Sequence, residues 1–250
     1  MGEEGRQDAG REPPVPRGGP PSTDSLDYDG WFETRWGRYA SCVERKALER
    51  ALGPLTGLNL LDVGCGTGRF TAGFELSGAS VVGVDTDRDR LAIAARRIRG
   101  QVLAADAQHL PFEDATFDVS TAITVLEFAP NPARILAEMA RVTRPGGRIL
   151  VAALNRGSLW GRTHRRSLQG PPWHGAVFIS PPELLRLAAP FGTPSLSGAL
   201  FAGGWFPGVE QIGSALESAG RRFLPRLGAF QILTLDHRAP QPPHTRRTPR

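Results

Sequence analysis

Apolar residues recur along this chain in two alternating rhythms. Tyr39, Val43, Ala47, Leu48 and Ala51 fall three and four apart, which predicts an amphipathic helix over residues 37–52. Leu58 to Val63 is a short continuous apolar run and reads as a strand, with glycines and a helix from about Arg69 behind it. A second run, Val81 to Val84, ends at Asp85. Thr86 with Asp89 three residues on predicts a helix cap, and Leu91, Ile93, Ala94, Ala95 and Ile98 carry an apolar face to Gly100.

The same alternation continues. Gln101 to Ala105 reads as a third strand ending at Asp106, and Phe117 to Ala122 as a fourth. Asn131-Pro132 opens a helix with Ile135, Leu136, Met139 and Val142 on one face, after which Arg144-Pro145-Gly146-Gly147 predicts a turn into a fifth strand, Arg148 to Leu154. Residues 155–178 show no period. Ser180-Pro181-Pro182-Glu183 is a capping box with Ile179 and Leu184 as its staple, for a helix ending near Pro190. Ser195 to Phe201 and Phe230 to Asp236 read as two closing strands around a helix from Val209 to Phe223. Strands joined by helical crossovers imply a Rossmann-like α/β fold: a doubly wound sheet of seven strands with ligands at the carboxyl ends of the parallel ones.

Composition sets the boundaries of that unit. Residues 1–24 are rich in Gly, Pro and charge, and 239–250 in Pro and Arg, so both are expected as disordered tails around a single domain at 25–238. Within that domain the core of 57–155 follows the first helix, and a substrate-side segment, 156–229, closes on the last strand. No apolar run reaches the length of a membrane span and the first residues do not read as a secretory signal, which places the chain in the cytoplasm. Cys42 and Cys65 fit neither a disulfide framework nor a zinc site, and no His/Asp/Glu cluster has metal-ligand spacing, so the expected chemistry is metal-independent.

A net charge of +5 invites a nucleic-acid partner. The invitation is weak, because Lys46 is the sole lysine among 30 basic residues and several arginines lie in the tails, a skew that resembles codon bias more than a binding face.

Chemistry concentrates in Leu60-Leu61-Asp62-Val63-Gly64-Cys65-Gly66-Thr67-Gly68. Glycines at this strand-to-helix turn let a ligand approach the backbone. The spacing is G-x-G-x-G, not the G-x-G-x-x-G of dinucleotide enzymes. Asp62 ahead of it would repel a pyrophosphate but suits the ammonium of an amino-acid moiety. Asp85, with Thr86 beside it, ends the second strand where a carboxylate accepts from ribose hydroxyls. Asp106, followed by Ala107, offers an acceptor and a backbone edge for adenine. Three acids on three strand ends describe a site for an adenosine bearing a zwitterionic tail. As plain structure, the glycines would be a tight turn, Cys65 a small loop residue and Asp62 a helix cap.

With these residues in view, the segment from about Tyr28 to Asn155 resembles the class I S-adenosylmethionine-dependent methyltransferases, of the small-molecule kind called type 11. Leu61-Asp-Val-Gly-Cys-Gly-Thr-Gly resembles the first family motif and Val84-Asp85 the second. Asp106-Ala107-Gln108-His109-Leu110-Pro111-Phe112 with Phe117-Asp118 resembles the third, and Arg144-Pro-Gly-Gly is a further family habit. The resemblance implies S-adenosylmethionine as cofactor, S-adenosylhomocysteine as product and an antiparallel last strand. It assigns Asp62 and the Gly64–Gly68 backbone, with Cys65 and Gly66 between, to the methionine part. Asp85 goes to the ribose, Asp106 and Ala107 to the adenine, and Ile123 to the sulfonium side. Tyr28, with Trp31 and Phe32, reads either as an aromatic lid over the cofactor or as the anchor of the first helix.

Methyl transfer from a sulfonium needs mainly in-line positioning, so a catalytic residue is optional. Glu127, where relatives carry a histidine, and His174 are the two candidate bases. For Glu127 a favourable place before a helix N-terminus is the alternative reading. Ala122-Ile-Thr-Val-Leu-Glu127 is not the Asn/Asp-Pro-Pro-aromatic pattern of base-amine methyltransferases, which favours a small organic acceptor over nucleic acid. A nicotinamide-dependent oxidoreductase, an RNA-directed enzyme and a noncatalytic member of the fold remain as alternatives. Substrate identity and oligomeric state are not legible, though Trp160, Trp173, Trp205 and Phe206 hint at an apolar acceptor.

Overall fold

A computed structural model describes residues 29–163, 175–202 and 209–237. Both expected tails, Tyr28, Trp173, His174, Trp205 and Phe206 lie outside the described residues.

Fully apolar strands need cover on both faces, and the chain supplies it. Seven strands form one sheet in the order β3-β2-β1-β4-β5-β7-β6. They are β1 (Asn59–Val63), β2 (Ser80–Asp85), β3 (Gln101–Ala104), β4 (Phe117–Ile123), β5 (Thr143–Leu154), β6 (Gly192–Ala199) and β7 (Phe230–His237). Strands β1 to β5 pair in parallel, and β7 runs antiparallel between β5 and β6, as the family resemblance implies. Two apolar cores lie against this sheet, one holding Leu48, Leu52, Leu60, Leu91 and Phe230, the other Leu61, Leu136, Met139, Ile149 and Leu184.

After a short helical stretch over residues 29–33, the expected amino-terminal helix, α1 (Arg35–Leu52), starts two residues early, where Thr34 accepts from the Gly37 amide at 3.0 Å. Its buried face is also displaced from the expected stripe. Ala40, Glu44, Ala47, Leu48 and Leu52 face inward, while Tyr39 and Val43 are half-buried at the flank. An acid inside an apolar stripe explains the miss, since periodicity counts Glu44 as a solvent position.

Helix α2 (Arg69–Leu76) follows the glycine turn, and α3 (Arg88–Arg97) follows β2. The cap of α3 is Asp87, not Thr86: its carboxylate accepts from the amides of Asp89 and Arg90. Nor does α3 reach Gly100. Glu75 at the end of α2 accepts from the amides of Arg99 and Gly100, and these bonds draw the chain off the helical path.

Asn131 caps α4 (Pro132–Val142) as expected. Strand β5 begins earlier than the expected Arg148. Thr143 already pairs with Phe117, and Arg144 to Gly147 form a bulge within the strand before Arg148 pairs with Val119. Gly147 has to be a glycine there, because a Cβ would sit 2.7 Å from the Asp118 carbonyl. A short α5 (Leu159–Thr163) comes next, and α6 (Pro181–Ala188) carries the expected capping box, with Ile179 and Leu184 buried beside it. Strand β6 ends at Ala199, two residues short of Phe201. Leu200 turns to a positive φ, and the Glu217 carboxylate of α7 (Val209–Phe223) gathers the amides of Leu200, Phe201 and Ala202.

Candidate active site

The site is assembled at the carboxyl ends of the parallel strands. Gly64, Gly66 and Gly68 all take positive φ, and a Cβ on Gly64 would lie 2.4 Å from Val125 Cγ2, so the segment after β4 rests on the glycine turn. Nothing lies within 4 Å of where a Gly66 Cβ would point, which leaves that side of the turn open to a ligand.

Asp62 sits at the end of β1 with 2% of its surface exposed. Its two oxygens accept from the hydroxyls of Thr71 (2.6 Å, α2) and Thr121 (2.7 Å, β4). Burial pushes its carboxyl up to about 6, against the lowering effect of the two hydroxyls. Asp62 thus ties β1, β4 and the helix after the turn together from beneath. Each oxygen thus spends one lone pair on a hydroxyl within the fold.

Asp85 braces the turn from the side. Its Oδ2 accepts from the Gly66 amide at 2.8 Å, and its Oδ1 from the Asp87 amide at 3.0 Å. Thr86 is exposed at the rim. The Cys65 side chain turns away from the opening: burial pushes its thiol well up, and Sγ would lie 2.8 Å from a Cβ on Gly83. The Cys65 thiol donates to the Gly66 carbonyl at 3.8 Å, the residue's amide donates to Val84, and its carbonyl accepts from the Gly68 amide. As a packed, protonated thiol it fits the loop-residue reading.

Asp106 is half-exposed after β3, and the hydrogen bond from the Gln108 amide (2.8 Å) holds its carboxyl below the usual range. Ala107 follows it, half-buried. This loop is fixed from behind by an ion pair that the sequence did not disclose. Arg141 pairs with Glu138 at 2.7 Å and donates to the carbonyls of Leu110 and Phe112, while Glu138 accepts from the Leu110 amide.

The amino-terminal segment docks on the same turn. Asp29 accepts from the Thr67 hydroxyl (2.9 Å) and pairs with Arg97 (2.7 Å), while Arg97 also donates to the Thr67 carbonyl. Arg69 stacks over Phe32 at 4.4 Å. Phe32 therefore lies beside the residue that follows the glycine turn, while the Trp31 carbonyl packs on the start of α1, where a Cβ on Gly37 would collide with it. Asp29 and Arg97 were not singled out in the sequence, because a pairing 68 residues apart leaves no local pattern.

Beyond β4, Ile123 is buried and Thr124 takes a positive φ of 51°. Glu127 follows in a 3₁₀ turn, Leu126–Phe128, 2% exposed. Its Oε1 accepts from the amide of Leu154 at the end of β5, and its Oε2 is buried without a hydrogen-bond partner among the described residues. Burial pushes this carboxyl up to about 7. His174, the other candidate base, lies outside the described residues. Among those residues no group of three or more metal-ligating side chains converges.

Comparison with known proteins gives the family and the fold. The family described as "Methyltransferase domain" matches residues 61–151. An uncharacterized protein of Methanocaldococcus jannaschii is 34% identical over 167 residues, 66% of this chain and 77% of that protein. The ubiquinone biosynthesis O-methyltransferase of Thiobacillus denitrificans is 32% identical over 59% of this chain and 70% of its own. Other curated methyltransferases are matched over about half their length. In fold, the chain is similar to a Thermotoga maritima structure described as a SAM-dependent methyltransferase, possible histamine N-methyltransferase. The TM-score is 0.68 at 24% identity, covering 85% of this chain and 96% of that one.

A seven-stranded sheet with one reversed strand, a glycine turn flanked by strand-end carboxylates, and these relatives define a methyl-transferring enzyme. The chain belongs to the class I S-adenosylmethionine-dependent methyltransferases.

Proposed function

We propose that this enzyme methylates an oxygen, nitrogen or carbon atom of a small organic molecule, with the donor laid across the carboxyl ends of β1, β2 and β3. The observation that carries the reading is the bracing of the Gly66 amide by Asp85, which sets an open glycine turn between three strand-end acids. S-adenosylmethionine, when bound, supplies a methyl group on a sulfonium that leaves readily. In this reading the Gly64–Gly68 backbone holds the methionine part, with Asp62 fixing the turn from below and reaching the ammonium. Asp85 accepts from the ribose, Asp106 and Ala107 flank the adenine, and Ile123 keeps water from the sulfonium side.

Glu127 is the residue suited to take the acceptor's proton. Leu154 pins its Oε1, and Oε2, buried with no hydrogen-bond partner among the described residues, would accept from a hydroxyl or amine that acceptor binding brings against it. The names of relatives that act in ubiquinone and demethylmenaquinone methylation support a hydroxylated aromatic or other apolar acceptor. A cleft lined by Trp36, Trp160, Leu200 and Phe201 opens at the carboxyl edge of the sheet, but at about 30 Å³ it is too small as it stands to hold such an acceptor.

Isothermal titration with S-adenosylmethionine, S-adenosylhomocysteine and NAD, on wild type and Asp85→Ala, tests the donor site. Binding of both sulfur compounds that is lost in the variant, with none of NAD, is the expected result. Well-folded protein that binds neither sulfur compound would overturn the assignment.

A further inference from the structure

The turn after α7, Phe223-Leu224-Pro225-Arg226-Leu227, presents apolar and cationic side chains together. Phe223 is 72% exposed, Leu224 52% and Leu227 50%. Arg221, Arg222 and Arg226 stand among them, and none of the three has a carboxylate within ion-pair distance among the described residues. Between the buried Glu217 and Asp236 the sequence contains no acid.

This exposure is not that of a loose loop. The Asn155 side chain, itself fully buried at the end of β5, donates to the carbonyls of Arg226 and Gly228 at 2.9 Å each. The Leu224 amide donates to Gly220, that of Leu227 to Leu224, and the Pro225 carbonyl lies where a Cβ on Gly198 would collide at 2.4 Å. The fold holds the backbone and turns the apolar side chains outward. Such side chains leave a monomer's surface at a cost unless something covers them.

We propose that this turn is a membrane-interface anchor that seats on an anionic bilayer: Phe223, Leu224 and Leu227 enter the acyl boundary and Arg221, Arg222 and Arg226 meet lipid phosphates. Exposed apolar residues interleaved along the chain with arginine, Arg222 standing 5.9 Å over the Phe223 ring, form the composition that the headgroup boundary of an anionic leaflet accepts. A second copy of the chain fits less well. A two-fold contact would set arginine against arginine, and three apolar side chains fall short of the roughly 800 Å² per partner that a stable dimer buries. Nucleic acid would meet the arginines but leave the phenylalanine and leucines in water. No helix among the described residues is long and apolar enough to cross a membrane, so the attachment is peripheral.

Leu227 also lines the cleft that contains Trp36, Trp160 and Phe201, so seating would bring the mouth of that cleft to the bilayer. Entry of an apolar acceptor from the membrane along this path rests on the methyltransferase reading; the attachment itself does not.

The test is cosedimentation of the full chain with phosphatidylcholine vesicles, with and without phosphatidylglycerol, at physiological ionic strength. Wild type is expected to bind the phosphatidylglycerol vesicles, with roughly tenfold weaker binding to neutral ones and a similar loss in a Phe223→Ser/Leu224→Ser variant. The substituted residues are exposed, so an unchanged circular dichroism melt establishes the variant's fold. A Leu224→Ala/Leu227→Ala pair repeats the measurement should that melt fall. Absence of wild-type binding overturns the proposal. Equal binding by the serine variant also overturns it, since charge alone, including the Arg-rich carboxyl terminus, would then account for the attraction. So does a concentration-dependent doubling of mass that the same variant abolishes, which would give the turn to a second copy.

Discussion

The Leu154 amide donates to Glu127 Oε1, joining the end of β5 to the turn that follows β4. That bond crosses the edge of the sheet where parallel α/β enzymes gather their ligands, and it orients a carboxylate whose other oxygen has no partner among the described residues.

A carboxyl with this environment has a measurable signature. Burial raises Glu127 from the ordinary 4.5 to about 7. Infrared difference titration is expected to show a protonated carboxyl band that disappears near pH 7 and is missing in Glu127→Gln. With an acceptor identified by methyl-labelled donor, the same variant should lower kcat by about 10²- to 10⁴-fold while leaving donor affinity within a factor of about two. Wild-type rate should rise with pH through about 7, as Oε2 becomes the basic form. A flat pH profile with full activity in the glutamine variant would return Glu127 to a purely structural role.

The contact between Gly64 and Val125 makes a second expectation. Gly64→Ala places a Cβ against Val125 and forces a non-glycine residue to φ +68°, a conformation that costs about 1–2 kcal/mol before any clash. Donor affinity should fall at least about tenfold. Adding Val125→Ala removes the clash but not the backbone strain, so titration calorimetry should recover part of the loss. No recovery would mean that the strain alone accounts for the effect.

Buried acids give the stability a characteristic pH dependence. Burial lifts Glu44 from the ordinary 4.5 to about 8, so the folded protein prefers this group protonated. Its contribution is complete below about pH 4.5 and is lost as pH rises through about 8. Glu44→Gln should therefore match wild type in urea unfolding at pH 5 and exceed it at pH 9, by roughly 2–4 kcal/mol. A variant equally destabilised at both pH values would show that the carboxyl makes a favourable contact, not a tolerated one.

Much of the architecture was legible because it is written locally. Strands β1 to β4 and the Arg148–Leu154 part of β5 are short, largely apolar runs, each acid of the site ends or follows one, and Asn131 and the Ser180–Glu183 box announce their helices. What escaped depends on tertiary company. Glu44 and Glu217 are acids that pattern reading sends to solvent, yet one is packed inward and the other caps three amides. Asp87, not Thr86, caps α3, and its own amide is held by the Asp85 carboxylate that also braces the glycine turn, a tertiary arrangement with no local pattern. Thr121 did leave a trace, as a polar residue within the buried run of β4, but its partner Asp62 is 59 residues away in sequence.

The clasp of Asp29 with Thr67 and Arg97 bears on how the polypeptide is divided. The family match starts at residue 61, and a chain trimmed to that point would keep every recognisable motif. It would lose the carboxylate that steadies Thr67 in the middle of the glycine turn, together with Phe32 beneath Arg69. The working unit of this enzyme is thus longer than its signature, and any truncation meant to preserve it has to be cut upstream of Asp29.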